Sequence, residues 1–178
     1  MGHKLTLTKV AKLAMVCGVA WYSSVASAAQ IEARTGNAAV GAPAAPFTTT
    51  LLDGKEWQLK ESGAAQVLVF TDSLCPYRHL PGCENTLEKL NGLYQQFSAD
   101  SRWLTVVKEF YVTKEVVEDY VQRFNIKHPA TWDQGNNIFS HYQVKNMPYV
   151  VVVDKQGNVA WRGDQVDESL TATLEGLR

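Results

Sequence analysis

Two cysteines eight residues apart, Cys75 and Cys83, bracket the segment Cys75-Pro76-Tyr77-Arg78-His79-Leu80-Pro81-Gly82-Cys83. Cys75 follows an apolar run and precedes a proline suited to the first position of a helix, where its missing N–H costs nothing. At a helix start, free backbone N–H groups and the dipole favour a thiolate over a thiol. Arg78 and His79 follow within one turn and add positive charge near the sulfur. A low-pKa, partly exposed thiolate is what disulfide exchange or peroxide reduction requires. Cys83 is the second thiol, and its pairing with Cys75 is open from spacing alone. In one unbroken helix the two α-carbons would lie about 12 Å apart, whereas a disulfide needs less than about 7 Å. Pro81-Gly82 argues against such a helix, because proline removes a hydrogen bond and glycine favours non-helical angles. The spacing thus predicts a loop or single turn over 76–82 and a long helix starting near Cys83. A metal reading competes, since Cys75, His79 and Cys83 form C-x3-H-x3-C, and thiolate with imidazole suits zinc or copper(I). No fourth ligand is evident; His128 and His141 are tied to the segment by no spacing.

The elements that must hold these residues can be read from periodicity. Residues 47–59 give a short hairpin, with Asp53-Gly54 as its turn. The run Gln66-Val67-Leu68-Val69-Phe70-Thr71 suits a central strand buried on both faces. Leu87, Leu90, Leu93, Tyr94 and Phe97 recur at helical spacing over about four turns. A second strand is expected over 103–110, then a helix capped by Thr113 with Val116, Val117, Tyr120, Val121 and Phe124 as its stripe. A short strand at 130–132 and a small helix at 136–142 follow. Pro148 opens the strand 149–153, a turn at 155–158 leads into 159–161, and Leu170, Leu174 and Leu177 mark a closing helix. Strands alternating with helices describe an α/β sheet covered on both faces. Such sheets work at the carboxyl ends of their strands, and Cys75 lies four residues beyond Thr71.

Composition sets the surroundings. Across 178 residues, 17 basic side chains balance 18 acidic ones, so no charge excess points to nucleic acid. Residues 1–28 read as a signal peptide: Lys4, Lys9 and Lys12 precede an apolar stretch over 13–22, and Ala26-Ser27-Ala28 offers the small-residue cleavage pattern. The apolar stretch is about half the roughly 20 residues a spanning helix needs. Cleavage would discard Cys17 and leave two cysteines, an even count in an oxidising compartment such as a bacterial periplasm. Residues 29–39, rich in Ala and Gly, read as a flexible leader, and residues 40–178 as one domain. No later segment calls for membrane insertion once the leader is gone.

Two sets of motifs carry a resemblance. Val40-Gly41-Ala42-Pro43-Ala44-Ala45-Pro46-Phe47, Leu52-Asp53-Gly54-Lys55 and Trp57-Gln58-Leu59 form the opening set. Tyr142-Gln143-Val144-Lys145-Asn146-Met147-Pro148, Val153-Asp154-Lys155-Gln156-Gly157-Asn158-Val159 and Arg162-Gly163 form the closing one. In these the chain resembles the thioredoxin-like redoxins, which include the alkyl hydroperoxide reductase/thiol-specific antioxidant proteins and periplasmic thioredoxin-like proteins. The resemblance implies an α/β thioredoxin-like fold, a central mixed β-sheet flanked by helices, with an N-terminal β-hairpin extension. It implies a cis Met147-Pro148 bond beside Cys75, shaping the site for an extended substrate backbone. The sequence also departs from the group. Arg78 stands where a thioredoxin's C-x-x-C has its second cysteine, and Leu68 and Asp72 stand where a peroxiredoxin has proline and threonine. Sco-type copper handlers use C-x-x-x-C and generally lack the cis-proline. The expectation is therefore a periplasmic thiol-disulfide oxidoreductase, with Cys75 as nucleophile, Cys83 as resolving thiol, Met147 and Pro148 at the substrate, and Arg78 and His79 tuning Cys75. Neither a cofactor nor a resident metal is called for. Protein thiols or disulfides are the expected partners, with a membrane-bound reductant donor as a candidate. The alternatives are a peroxiredoxin-like thiol peroxidase and a copper- or zinc-binding or structural module.

Overall fold

The structure, a computed structural model, describes residues 1–2, 39–75 and 82–178. The expected signal peptide and leader thus lie almost wholly outside the described residues, as do Arg78 and His79. Strand β1 (Phe47–Thr50) and strand β2 (Glu56–Leu59) pair antiparallel as the expected hairpin. Gly54 takes a positive φ of 84° in its turn, a conformation open to a residue without a Cβ. Next come β3 (Ala65–Thr71), α1 (Cys83–Phe97), β4 (Ser101–Lys108) and α2 (Lys114–Arg123). The chain continues with β5 (Ala130–Asp133), a single 3₁₀ turn, α3 (Asn137–His141), β6 (Tyr149–Val153), β7 (Val159–Gly163) and α4 (Glu168–Gly176).

The main sheet has the order β5-β4-β3-β6-β7. Strand β3 runs parallel to β4 and antiparallel to β6, and β4 runs parallel to β5, so the sheet is mixed. All seven residues of β3 are buried, as its unbroken apolar run predicts. Its side chains alternate between two cores. Leu68 and Phe70 join the hairpin's Phe47, Trp57 and Leu59 and the α3 side chains Ile138 and Phe139. Val67 and Val69 join Leu90 and Phe97 of α1 and Leu170 and Leu174 of α4. Burying each such Val, Leu or Phe contributes about 1.5–3 kcal/mol. A third cluster closes the carboxyl end of β3 and β4, where α1 and α2 meet. Among the described residues no helix is long and apolar enough to cross a membrane.

Helix starts follow local chemistry unevenly. Asp167 caps α4 through bonds from Ser169 and Leu170 N–H. Thr113 sits at the start of α2 as expected, but its side chain makes no capping bond to the helix backbone.

His128 stands at the edge of the second core. It is buried, its Nδ1 bonded to Thr105 Oγ1 and its ring set against Tyr94 and Trp103. Burial holds its pKa down to about 4, from an ordinary 6.5. The unfolded imidazole takes up its proton near pH 6.5 and the folded one only near pH 4. Between these values the unfolded state binds more protons, so acid favours unfolding. Stability should fall by about 3 kcal/mol as pH drops through this window, then level off below it. Urea midpoints measured across pH 4–7 check this, and His128→Gln should lack that part of the slope.

Candidate active site

The site forms where β3 ends. Asp72 follows the strand and closes a tight turn: Cys75 N–H donates to the Asp72 carbonyl at 3.1 Å, and Leu74 N–H donates to Asp72 Oδ1 at 2.8 Å. Cys75 is thereby held at the carboxyl end of the central strand. On the other side of the segment, Gly82 precedes α1 with φ 78°, an angle that favours glycine, and Cys83 is the first residue of α1. The helix starts where the Pro-Gly pair predicts. Cys75 and Cys83 form a disulfide with their α-carbons 6.0 Å apart, inside the range the bond allows. The spacing left this pairing open, and the position of the start of α1 relative to the end of β3 settles it.

Both sulfurs are enclosed. Cys75 is 0% exposed and Cys83 1%, so the partly exposed thiolate that exchange calls for is not a feature of the disulfide state. A partner's thiolate reaches neither sulfur without a local opening. The enclosing cluster comprises Leu87 of α1, Val107 of β4, Val117 and Tyr120 of α2, and Ile126, with Val112 and Trp132 packed against it. Tyr120 OH and Thr71 Oγ1 lie 2.6 Å apart, tying α2 to the end of β3. Burial pushes the Tyr120 hydroxyl pKa well up, the bond to Thr71 opposes this, and the charge of Asp72 pushes the same way as burial. Ser73 Oγ is buried in the turn and has no hydrogen-bond partner among the described residues.

The Met147-Pro148 peptide is cis, as the resemblance implies. Phe70 of β3 faces Tyr149 of β6, so Pro148, one residue before Tyr149, lies at the same end of the sheet as the turn to Cys75. Pro148 is buried and Met147 half-buried, the latter against the first core rather than in the disulfide cluster. Arg162 of β7 braces this loop, donating from Nε to Tyr149 OH at 2.9 Å and from Nη2 to the Tyr142 carbonyl at 2.8 Å. Tyr142 OH in turn donates to the Ala45 carbonyl at 3.0 Å.

Of the residues expected at the site, the structure joins Cys75 to Cys83 and brings Pro148 to the same sheet end; Arg78 and His79 lie outside the described residues. His79, the middle member of the C-x3-H-x3-C reading, therefore lies outside them too. Among the described residues no group of three or more His, Cys, Asp or Glu could hold a metal ion. Asp72 and the Thr71–Tyr120 pair were not singled out from sequence as site residues. For Asp72 a signal was present: an acid directly after a strand that is otherwise apolar.

The sheet order, the flanking helices, the cis-proline and a disulfide beyond the central strand together define a thioredoxin-like redoxin. The model of the AhpC/TSA family matches residues 40–162. The chain belongs to that family. It is 27% identical over 141 residues to the thiol-disulfide oxidoreductase ResA of Bacillus cereus, covering 78% of each chain. With the ResA of Geobacillus kaustophilus it shares 27% identity over 143 residues, covering 79% of each. Solved structures share the fold. A secreted Mycobacterium tuberculosis disulfide oxidoreductase homologous to E. coli DsbE superposes with a TM-score of 0.61 at 18% identity, over 74% of this chain and 96% of that one. StoA from Bacillus subtilis gives 0.60 at 20% identity, over 72% and 96%.

Tyr120→Phe should cost about 1–2 kcal/mol, because it leaves the buried Thr71 hydroxyl without its partner. Urea unfolding of the oxidised protein measures this, and Thr71→Val combined with Tyr120→Phe should recover part of the loss.

Proposed function

We propose that the protein is a periplasmic thiol-disulfide oxidoreductase whose redox element is the Cys75–Cys83 pair. The observation that carries this reading is the disulfide itself, placed directly beyond the carboxyl end of the central strand on a family scaffold. Relatives named thiol-disulfide oxidoreductase, matched over most of their length, support it. Cys75 acts as the nucleophile: reduced to its thiolate, it attacks a partner's disulfide, forming a mixed disulfide and releasing one partner thiolate. Cys83 then attacks the sulfur of Cys75, freeing the partner's second thiol and restoring the Cys75–Cys83 bond. Two electrons pass to the partner, whose disulfide becomes a dithiol. Met147 and Pro148 form the wall against which the partner's backbone lies, and Arg78 and His79 adjust the acidity of Cys75. The substrates are protein disulfides or thiols, and a membrane-bound donor returns the electrons. Residues 1–28 direct export and are removed, residues 29–39 form a leader, and residues 40–178 carry the activity.

Cys75→Ser should abolish exchange with a model protein disulfide, and Cys83→Ser should accumulate mixed disulfides visible on non-reducing gels. The wild-type pair should equilibrate reversibly in redox buffers at a potential above roughly −300 mV. A lower value would make the bond a structural clamp, and full activity in Cys75→Ser would overturn the mechanism.

A further inference from the structure

Just beyond β4 the chain leaves in water what a fold ordinarily buries. Apart from Met1 and Val40, the large apolar side chains exposed among the described residues are Phe110 at 45%, Tyr111 at 97% and Val116 at 41%. A single apolar residue on a surface is ordinary. Here two rings and a valine fall within seven residues. The rings meet edge to face with centroids 5.2 Å apart, and Lys108 lies against Phe110, its Nζ 5.8 Å from the ring centroid.

The backbone holds these rings out. Tyr111 has a φ of 51°, in the left-handed region that a residue with a Cβ rarely adopts. Such a conformation persists only where the surroundings over-determine it. Here the 3₁₀ turn Gln134–Asn136, which follows β5, does so. Glu109 N–H donates to Asn136 Oδ1 at 2.9 Å, and Asn136 Nδ2 donates to the Glu109 carbonyl at 2.9 Å. Gly135 N–H donates to Glu109 Oε2 at 2.6 Å. The chain therefore leaves β4 from a fixed base, with the rings directly after it.

Their place is the working end of the sheet. Thr71 of β3 and Val107 of β4 are partners, so Cys75 and Tyr111 each stand four residues past the same rung. Val112, next to Tyr111, packs against the cluster that holds both sulfurs. Because those sulfurs are enclosed, a partner protein meets other surface before it meets sulfur. The free energy for a local opening must then come from contacts outside the disulfide. A bilayer surface fits less well: Glu109, Glu115 and Glu118 accompany Lys108 and Lys114, which gives no positive excess for anionic lipid.

We propose that Phe110 and Tyr111 form a docking platform for the redox partner protein, taking an apolar side chain beside the partner's reacting cysteine. This rests on the thiol-disulfide reading above and deepens it by naming what selects the partner. Aromatic rings bring a large contact area at little loss of conformational freedom, which suits them as interface anchors. The platform carries no electrons. It prolongs the encounter and leaves the reduction potential to the cysteine pair.

The test uses two cyclic peptides, each closed by one disulfide and alike save for Leu or Ser beside the cysteines. The reduced full chain should exchange with the Leu peptide about tenfold faster than with the Ser peptide. Tyr111→Gly suits the backbone angle and removes the ring, so it should abolish that preference by slowing the Leu peptide alone, with the reduction potential unchanged. Tyr111→Phe should keep the preference, and Phe110→Gln, which leaves the Tyr111 angle alone, should narrow it. Equal rates with the two peptides in the wild type, or an undiminished preference in Tyr111→Gly and Phe110→Gln, would overturn the inference. So would slowing of both peptides alike, which would put the effect at the sulfurs. A wild-type dimer in sedimentation that Tyr111→Gly dissolves would give the platform to a second copy of the chain and overturn it too. A wild type that exchanges with neither peptide would instead defeat the thiol-disulfide reading, and this inference with it.

Discussion

Everything in this fold is referred to the central strand β3. It is buried along its whole length and hydrogen-bonded on both edges, to β4 in parallel and β6 in antiparallel. A strand in that position cannot slip by one residue without sending Leu68 and Phe70 into the wrong core, so its register is strongly specified. Because β3 is anchored, its carboxyl end is a fixed point. The turn at Asp72, the disulfide and the cis-proline loop on neighbouring β6 all take their positions from it.

The two faces of the sheet serve that end differently. One is sealed by the hairpin and α3, with Phe47, Tyr142, Phe70 and Phe139 in successive aromatic contact. That packing also braces the proline loop, through Tyr142, Arg162 and Tyr149. The other face is sealed by α1 and α4, and α1 begins at Cys83. The disulfide therefore joins the end of the central strand to the start of the helix that covers it. The sulfurs belong to the core as much as to the surface, and their chemistry is governed by what the core places around them.

Among the described residues, charge is sparse there. Tyr120 and Thr71 satisfy each other, and among the described residues the Asp72 carboxylate has a single backbone donor. In surroundings of low polarizability a lone charge acts more strongly than it would in water. The exposed ion pairs, such as Lys55 with Asp53, have little consequence by comparison.

The sequence by itself determined the order and type of the elements. The hairpin turned by Asp53-Gly54, the buried run of β3, the helical stripe from Leu87 to Phe97 and the strand opened by Pro148 all carry local periodicity or turn chemistry that survives folding. It also marked the two cysteines and the family motifs around them, including the cis-proline. What tertiary structure decided are relations between distant parts of the chain. Whether Cys75 and Cys83 pair depends on where the start of α1 sits relative to the end of β3, which spacing alone leaves open. That Tyr120 meets Thr71, 49 residues away, depends on how α2 packs over the end of β3. His128 is buried because Tyr94 and Trp103 come from elements on either side of it, and Asp72 because a cluster closes over its turn. A local pattern reports which face of an element is apolar. It does not report which polar groups the packing of several elements will remove from water, and those groups set the chemistry of the site.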